Sequence, residues 1–141
     1  MPILKKYNIK AVSFLIGEHT YNNKKGKINY NTMQELKKLY PNFDFQSHTY
    51  NLHKKFKMND YNLTIEDAAI QNKYFNFTFL AYPYGIFTSG MINAYKKSGI
   101  KMAFTYGIND YATRNQNIYK IRRIKVNGRE SFSNFTRWFI N

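Results

Sequence analysis

Two hydrophobic periods alternate along the chain. Short runs of β-branched and aromatic residues, closed by Gly or Pro, are separated by stretches in which apolar positions recur every three or four residues. Residues 2–7 read as the end of a helix, and IKAVSFLIG (9–17) as a buried strand closed by a glycine. Met33, Leu36 and Tyr40 stand at helical spacing in residues 29–40, behind an Asn or Thr cap. FDFQSH (43–48) then reads as a second strand, residues 63–73 as a helix and FTFLAYP (77–83) as a third strand. Residues 88–99 form a capped helix stopped at Gly99, and KMAFTYG (101–107) a fourth strand. IYKIRRIKV (118–126) is expected to be a short fifth strand. A closing helix over 131–140 would carry Phe132, Phe135 and Phe139 on one face. This alternation predicts an α/β fold with a parallel sheet or partial barrel, whose chemistry lies at the C-terminal ends of the strands.

Composition narrows the class. A chain of 141 residues suits one domain (1–141), and 43% hydrophobic with 18% aromatic residues is ample for a core. Twenty-two Lys and Arg against eight Asp and Glu leave a formal charge of +14, which draws the protein to anionic surfaces. The basic residues are scattered in pairs such as Lys5-Lys6, Lys37-Lys38 and Arg122-Arg123 rather than massed, which argues against a nucleic-acid partner. Cysteine is absent, so disulfides and thiolate metal sites are excluded. No apolar run approaches the roughly 20 residues of a membrane span. The N-terminus lacks the order of a signal peptide, so an export signal, if the protein is exported, is expected upstream of this chain.

Two of the three histidines, His48 and His53, lie five residues apart just after the second predicted strand. On a continued strand they would point to opposite faces, so they converge only if the chain turns between them. A strand end presenting His48 and a turn returning His53 would make a two-imidazole metal clamp, with Thr49 free to fix the loop by hydrogen bonding. Two unrelated polar loop residues are the bland alternative. FLAYPYG (79–85) ends the next strand in a turn that Pro83 and Gly85 make tight, exposing the Tyr84 backbone N–H where an oxyanion could be held. A plain β-turn with packed tyrosines would look the same in sequence.

Taken in order, PILKKYNIKAVSFLIG, SHTYNLH and FLAYPYG resemble the polysaccharide deacetylases of carbohydrate esterase family 4, the NodB-homology domain. The histidine spacing, the arginine-free AYPYG, and the later SGIKMAFTYG and IYKIRRI are most similar to the branch that de-N-acetylates the poly-β-1,6-N-acetylglucosamine of biofilms. The resemblance runs from Pro2 to about Trp138. It implies a partial (β/α)-barrel of the NodB-homology type lacking its first strand. It also implies a divalent metal, of zinc type, on His48 and His53, and hydrolysis of an acetamido group with the oxyanion held in part by the Tyr84 N–H. A polysaccharide partner and an extracellular or cell-surface location follow from the same resemblance.

The departures bear on activity. The family's aspartate pair, a metal ligand and a general base, belongs to a strand before Ile3-Leu4 and has no counterpart here. Asp44 lies four residues before His48, about 13 Å away along a strand. Asp60 and Asp67 read as surface residues of a loop and a helix. The family's late catalytic histidine is replaced by the KVNG region, and His19 is the only spare imidazole, expected in an exposed loop. Amide hydrolysis needs a proton acceptor and an acid for the leaving amine, so activity is expected to be impaired. The alternative is a non-catalytic remnant that binds carbohydrate, with Tyr50, Tyr82, Pro83 and Trp138 lining its groove beside Tyr84. A sheet lacking its first strand would leave residues 9–17 as an open edge, for which pairing with a second copy of the chain is expected.

Overall fold

The computed structural model describes residues 2–55, 60–106 and 111–139. Helix α1 (Pro2–Lys6) leads into β1 (Ala11–Leu15), a short α2 (Gly17–Tyr21), α3 (Tyr30–Leu39) and β2 (Phe43–Ser47). There follow α4 (Leu52–Lys55), α5 (Tyr61–Tyr74), β3 (Phe79–Ala81), α6 (Ser89–Lys97), β4 (Met102–Phe104) and α7 (Phe132–Thr136). The four strands form one sheet in the order β1-β2-β3-β4, every pairing parallel, with registers such as Leu15↔Ser47, Ser47↔Leu80 and Ala81↔Phe104. This is the open, partial (β/α)-barrel that the alternation predicts.

Local chemistry accounts for the helix starts. Asn29, Asp60 and Thr88 each accept an N–H from three residues on (Thr32, Leu63 and Met91), so α3, α5 and α6 begin with a satisfied side-chain cap. Gly99, at φ +91°, lets the chain leave α6 in the left-handed region. Between helices and sheet lie two buried clusters. Leu80, Tyr82 and Ala103 of the sheet side pack with Ala68 of α5 and with Met91, Ile92 and Tyr95 of α6. Phe45 packs with Met33, Phe75 and Phe77.

Polar groups fill in where the ladder is thin. β2 and β3 share the single register pair Ser47↔Leu80, and the buried Gln46 supplies what the backbone does not. Its Oε1 accepts the N–H groups of Thr78 (3.0 Å) and Phe79 (2.9 Å), while its Nε2 donates to Asp44 at 2.6 Å.

Two elements depart from the sequence reading. Residues 118–126 are not a strand: only Ile121 bridges Phe104. Asn117 accepts the Tyr119 N–H on its side chain and the Lys120 N–H on its carbonyl, so a turn outcompetes extension there. The closing helix is shorter than 131–140. Phe132 and Phe139 stay exposed, and the rings of Phe135 and Phe139 lie 5.0 Å apart. Gly107 of the expected fourth strand lies outside the described residues.

Among the described residues β1 pairs only with β2, and Val12 is exposed on it, as is Ile9 just before it. Such an edge recruits a strand when one is offered. Size-exclusion chromatography with light scattering is expected to give a mass above the 16.9 kDa of one chain. Replacing Gln46 by Leu removes the acceptor of two amides, and denaturant unfolding should report a loss of about 1–3 kcal/mol.

Candidate active site

The parallel register brings the C-terminal ends of β1, β2, β3 and β4 to one rim, and the site is built there. His48 follows directly on β2. Its N–H continues the β1–β2 ladder to the Leu15 carbonyl at 2.8 Å, and its ring Nδ1 lies 2.6 Å from the Ala81 carbonyl at the end of β3. A carbonyl can only accept, so Nδ1 carries the proton and Nε2 keeps its lone pair. Burial lowers the His48 pKa from its ordinary 6.5, with His53 and Arg123 adding to the effect and the Ala81 hydrogen bond opposing it. The ring is therefore neutral in neutral water.

His53 belongs to α4. The turn that brings it back passes through Thr49, held at φ +66°, in the left-handed region a β-branched residue seldom adopts. Gly17 and Glu18, opening α2, donate their N–H groups to the carbonyls of Thr49 (3.0 Å) and Tyr50 (2.9 Å). The turn thus returns His53 to the same side as His48, with ring centroids 5.0 Å apart. The Thr49 hydroxyl does not fix the loop: it is buried without a hydrogen-bond partner, and the α2 amides, the Ser47 Oγ that accepts the Thr49 N–H at 3.0 Å and the Asp67 carboxylate hold it instead. Asp67 is not a surface residue either. It is 5% exposed and accepts the N–H groups of Tyr50 and Asn51 at 2.8 and 2.6 Å, because α5 turns this side chain inward. Asp60 caps α5.

The turn after β3 closes as a β-turn does, the Gly85 N–H donating to the Tyr82 carbonyl at 3.0 Å across Pro83 and Tyr84. Pro83 opens a single 3₁₀ turn over Pro83–Gly85, in which Tyr84 takes φ +56° and Gly85 φ +70°. A side chain on Gly85 would collide with the Tyr106 backbone, so only glycine fits. Among the described residues no acceptor takes the Tyr84 N–H. Its side chain, 59% exposed, lies over His53, with rings 4.7 Å apart and the hydroxyl 3.4 Å from His53 Nδ1.

Phe14, His48, Tyr82, Tyr84, Tyr106 and Arg123 line a cleft of about 320 Å³. A neighbouring hollow of about 280 Å³ shares Phe14 and His48 and holds His19, which sits in α2 rather than in a loop, its Nε2 3.3 Å from Lys24 Nζ. The expected groove residues divide. Tyr82 borders the cleft but is fully buried against Phe87 and Tyr95, and Pro83 is buried at the turn. Tyr50 packs instead beside Tyr74 against the Phe75 cluster, and Trp138 against Tyr111 and Arg137. Sequence reasoning missed Arg123. Its Nε donates to the Thr105 carbonyl at 2.9 Å, and its guanidinium lies over Phe14 and Phe104, where burial lowers its pKa while Tyr106 opposes the shift. The available signal was a pair of arginines set between two isoleucines, Ile121-Arg122-Arg123-Ile124.

A polysaccharide deacetylase family model matches residues 1–103. The chain belongs to that family. It is 33% identical, over 89% of its length, to the poly-beta-1,6-N-acetyl-D-glucosamine N-deacetylase of Staphylococcus epidermidis, and 32% identical over the same share to that of Staphylococcus aureus. It spans 48% of each of those proteins. In fold this deacetylase-family chain is similar to the Streptococcus pyogenes deacetylase PplD in complex with acetate (TM-score 0.78, 23% identity, 96% of this chain and 61% of that one). It is also similar in fold to IcaB from Ammonifex degensii (TM-score 0.70, 20% identity, 90% and 60%).

Two imidazoles, one with its tautomer set by a backbone carbonyl, fit a divalent ion as two of its ligands. Among the described residues no group of three His, Asp, Glu or Cys surrounds such an ion. The lowered His48 pKa has a testable sign. Between the ordinary 6.5 and the lower folded value the unfolded chain binds a proton that the folded chain does not, so this stability is present above 6.5 and lost as pH falls through that window. NMR titration of the metal-free chain should place the His48 ring midpoint below 6.5.

Proposed function

We propose that this chain carries the imidazole and oxyanion side of a metal-dependent site that de-N-acetylates an N-acetylglucosamine polysaccharide, of which poly-β-1,6-N-acetylglucosamine is the prime candidate. The observation that carries the reading is the meeting of His48, His53 and the Tyr84 turn at one rim of the sheet. His48 and His53 would hold the ion, which supplies water activated near neutral pH and a Lewis acid toward the amide oxygen.

The chain's own groups do the rest. The Ala81 carbonyl keeps His48 in the tautomer that presents Nε2. The Tyr84 N–H is a preorganised donor for charge developing on the acetamido oxygen, in a turn held rigid by Gly85 against Tyr106. Arg123 adds a fixed positive charge to the cleft wall, favouring an anionic transition state and an acetate product. Tyr84 and Tyr106, both exposed beside the cleft, offer aromatic faces to a sugar ring. A polymer substrate of this kind places the protein at the cell surface or outside the cell.

The lack of a third ligand or carboxylate among the described residues favours a second reading, a carbohydrate-binding domain without turnover. General-base catalysis is worth roughly 10²–10⁴ in rate, so the 141-residue chain by itself should be slow. Acetate release from N-acetylglucosamine oligomers is expected to fall below ~1 s⁻¹ and to drop to background with chelator, His48→Ala or His53→Ala. A rate of that size or above would show the two-imidazole site to be sufficient. Oligomer binding that perturbs Tyr84 and Tyr106 in NMR spectra, with no acetate at all, would establish the second reading. Neither binding nor acetate would reject both.

A further inference from the structure

We propose that Asp67 is a positioning residue that sets the separation of the two imidazoles. A carboxylate 5% exposed is unfavourable unless its oxygens are met, and here main-chain donors meet them. Oδ1 accepts the Tyr50 N–H at 2.8 Å, Oδ2 the Asn51 N–H at 2.6 Å, and the Leu52 amide also donates to it. All three amides lie in the four-residue segment between His48 and His53. The other side of that segment is held by donors from α2, the Gly17 and Glu18 amides on the Thr49 and Tyr50 carbonyls.

The turn is thus gripped between an acceptor on α5 and two donors on α2. Two polar side-chain atoms of the segment contribute no such grip: Thr49 Oγ1 and Asn51 Oδ1 are both buried without partners. Thr49 at φ +66° would relax toward an extended backbone if the grip were released, and His53 would swing away from His48. Asp67 also stands at the head of α4, since it meets the Leu52 amide that opens that helix and the Asn51 amide just before it, and so orients the element bearing His53. Its own position is secure because the next residue, Ala68, belongs to the cluster of Leu80, Met91 and Tyr95. The hydrogen bonds of the carboxylate go to main-chain amides between the two rings, so it acts on the site through the chain that joins them.

The inference rests on the metal reading for its consequence, and the experiment separates the two. Zn²⁺ affinity by competition, and amide hydrogen exchange by NMR, would be measured for the 141-residue chain and for Asp67→Asn, each with and without His53→Ala. Asn preserves shape but turns an NH₂ toward an amide donor. Asp67→Asn should weaken Zn²⁺ binding about 10- to 100-fold and speed exchange at Tyr50 and Asn51 by at least ~10-fold, leaving the Phe45 and Leu80 amides unchanged. In the His53→Ala background Asp67→Asn should no longer alter Zn²⁺ affinity, because no pair remains to be spaced. Persistence of the same loss there would make Asp67 a general structural residue and overturn the proposal. So would unchanged affinity and exchange in the single variant while the parent chain binds zinc. If the parent chain binds no zinc, the metal reading fails, yet faster exchange at Tyr50 and Asn51 with a weakened His48–His53 ring cross-peak would still support the positioning role. If Asp67→Asn does not fold, the parent chain decides: exchange at Tyr50 and Asn51 as slow as at Phe45 supports the grip, and open-loop exchange overturns it.

Discussion

The hydrogen bond from the His48 ring to the Ala81 carbonyl joins the sheet to the site. Through its amide the same residue also closes the ladder to Leu15, so one histidine ties together the ends of three strands. It can do so because parallel register leaves those ends level, which an antiparallel sheet with short hairpins would not arrange from segments so far apart in sequence. The ring is consequently fixed in tautomer and direction before any ligand arrives. Burial holds it neutral, so structure and proton inventory agree on a lone pair facing the cleft.

Around that bond the polar groups divide into those that hold and those that face outward. Gln46 replaces missing ladder bonds between β2 and β3, Asp67 collects amides from the loop, and the Tyr106 backbone blocks any side chain at Gly85. None of these reaches into the cleft to do chemistry. His53, Tyr84, Tyr106 and Arg123 do reach the rim, and each rests on one of the holding groups or on a strand-end carbonyl. A rigid inner frame of main-chain contacts thereby carries an outer set of side chains.

The first four strands, the helix caps and the two imidazoles were legible in the sequence because their signals are local. Asn29 and Thr88 announce caps within a turn, and an odd spacing of histidines requires a bend. Residues whose role depends on distant backbone were not legible. Asp67 looks like any helix carboxylate, since its partners are amides 16 and 17 positions away and an amide has no residue-type signature. Arg123 was hidden likewise, its partners being the Thr105 carbonyl and rings on two strands. Tyr50 and Trp138 were read as sugar platforms because aromatic rings serve cores and grooves alike, and here both pack against other aromatics. The 118–126 segment has a strand's composition, but Asn117 sets a turn within it.

The register of the sheet has a kinetic consequence. Every strand pair joins residues more than twenty positions apart, as in Ala11↔Phe43, Ser47↔Leu80 and Phe79↔Met102, so no pairing forms without first closing a long loop. Loop-closure entropy precedes any reward from contacts, and helices such as α5 and α6 form well before the strands they will cover. During that interval Val12, Phe14 and Leu15 of β1 lie exposed as an unpaired apolar strand. Yield on refolding is then a contest between chain closure and collision with another chain, and dilution, rather than added stability, tips it toward the native sheet.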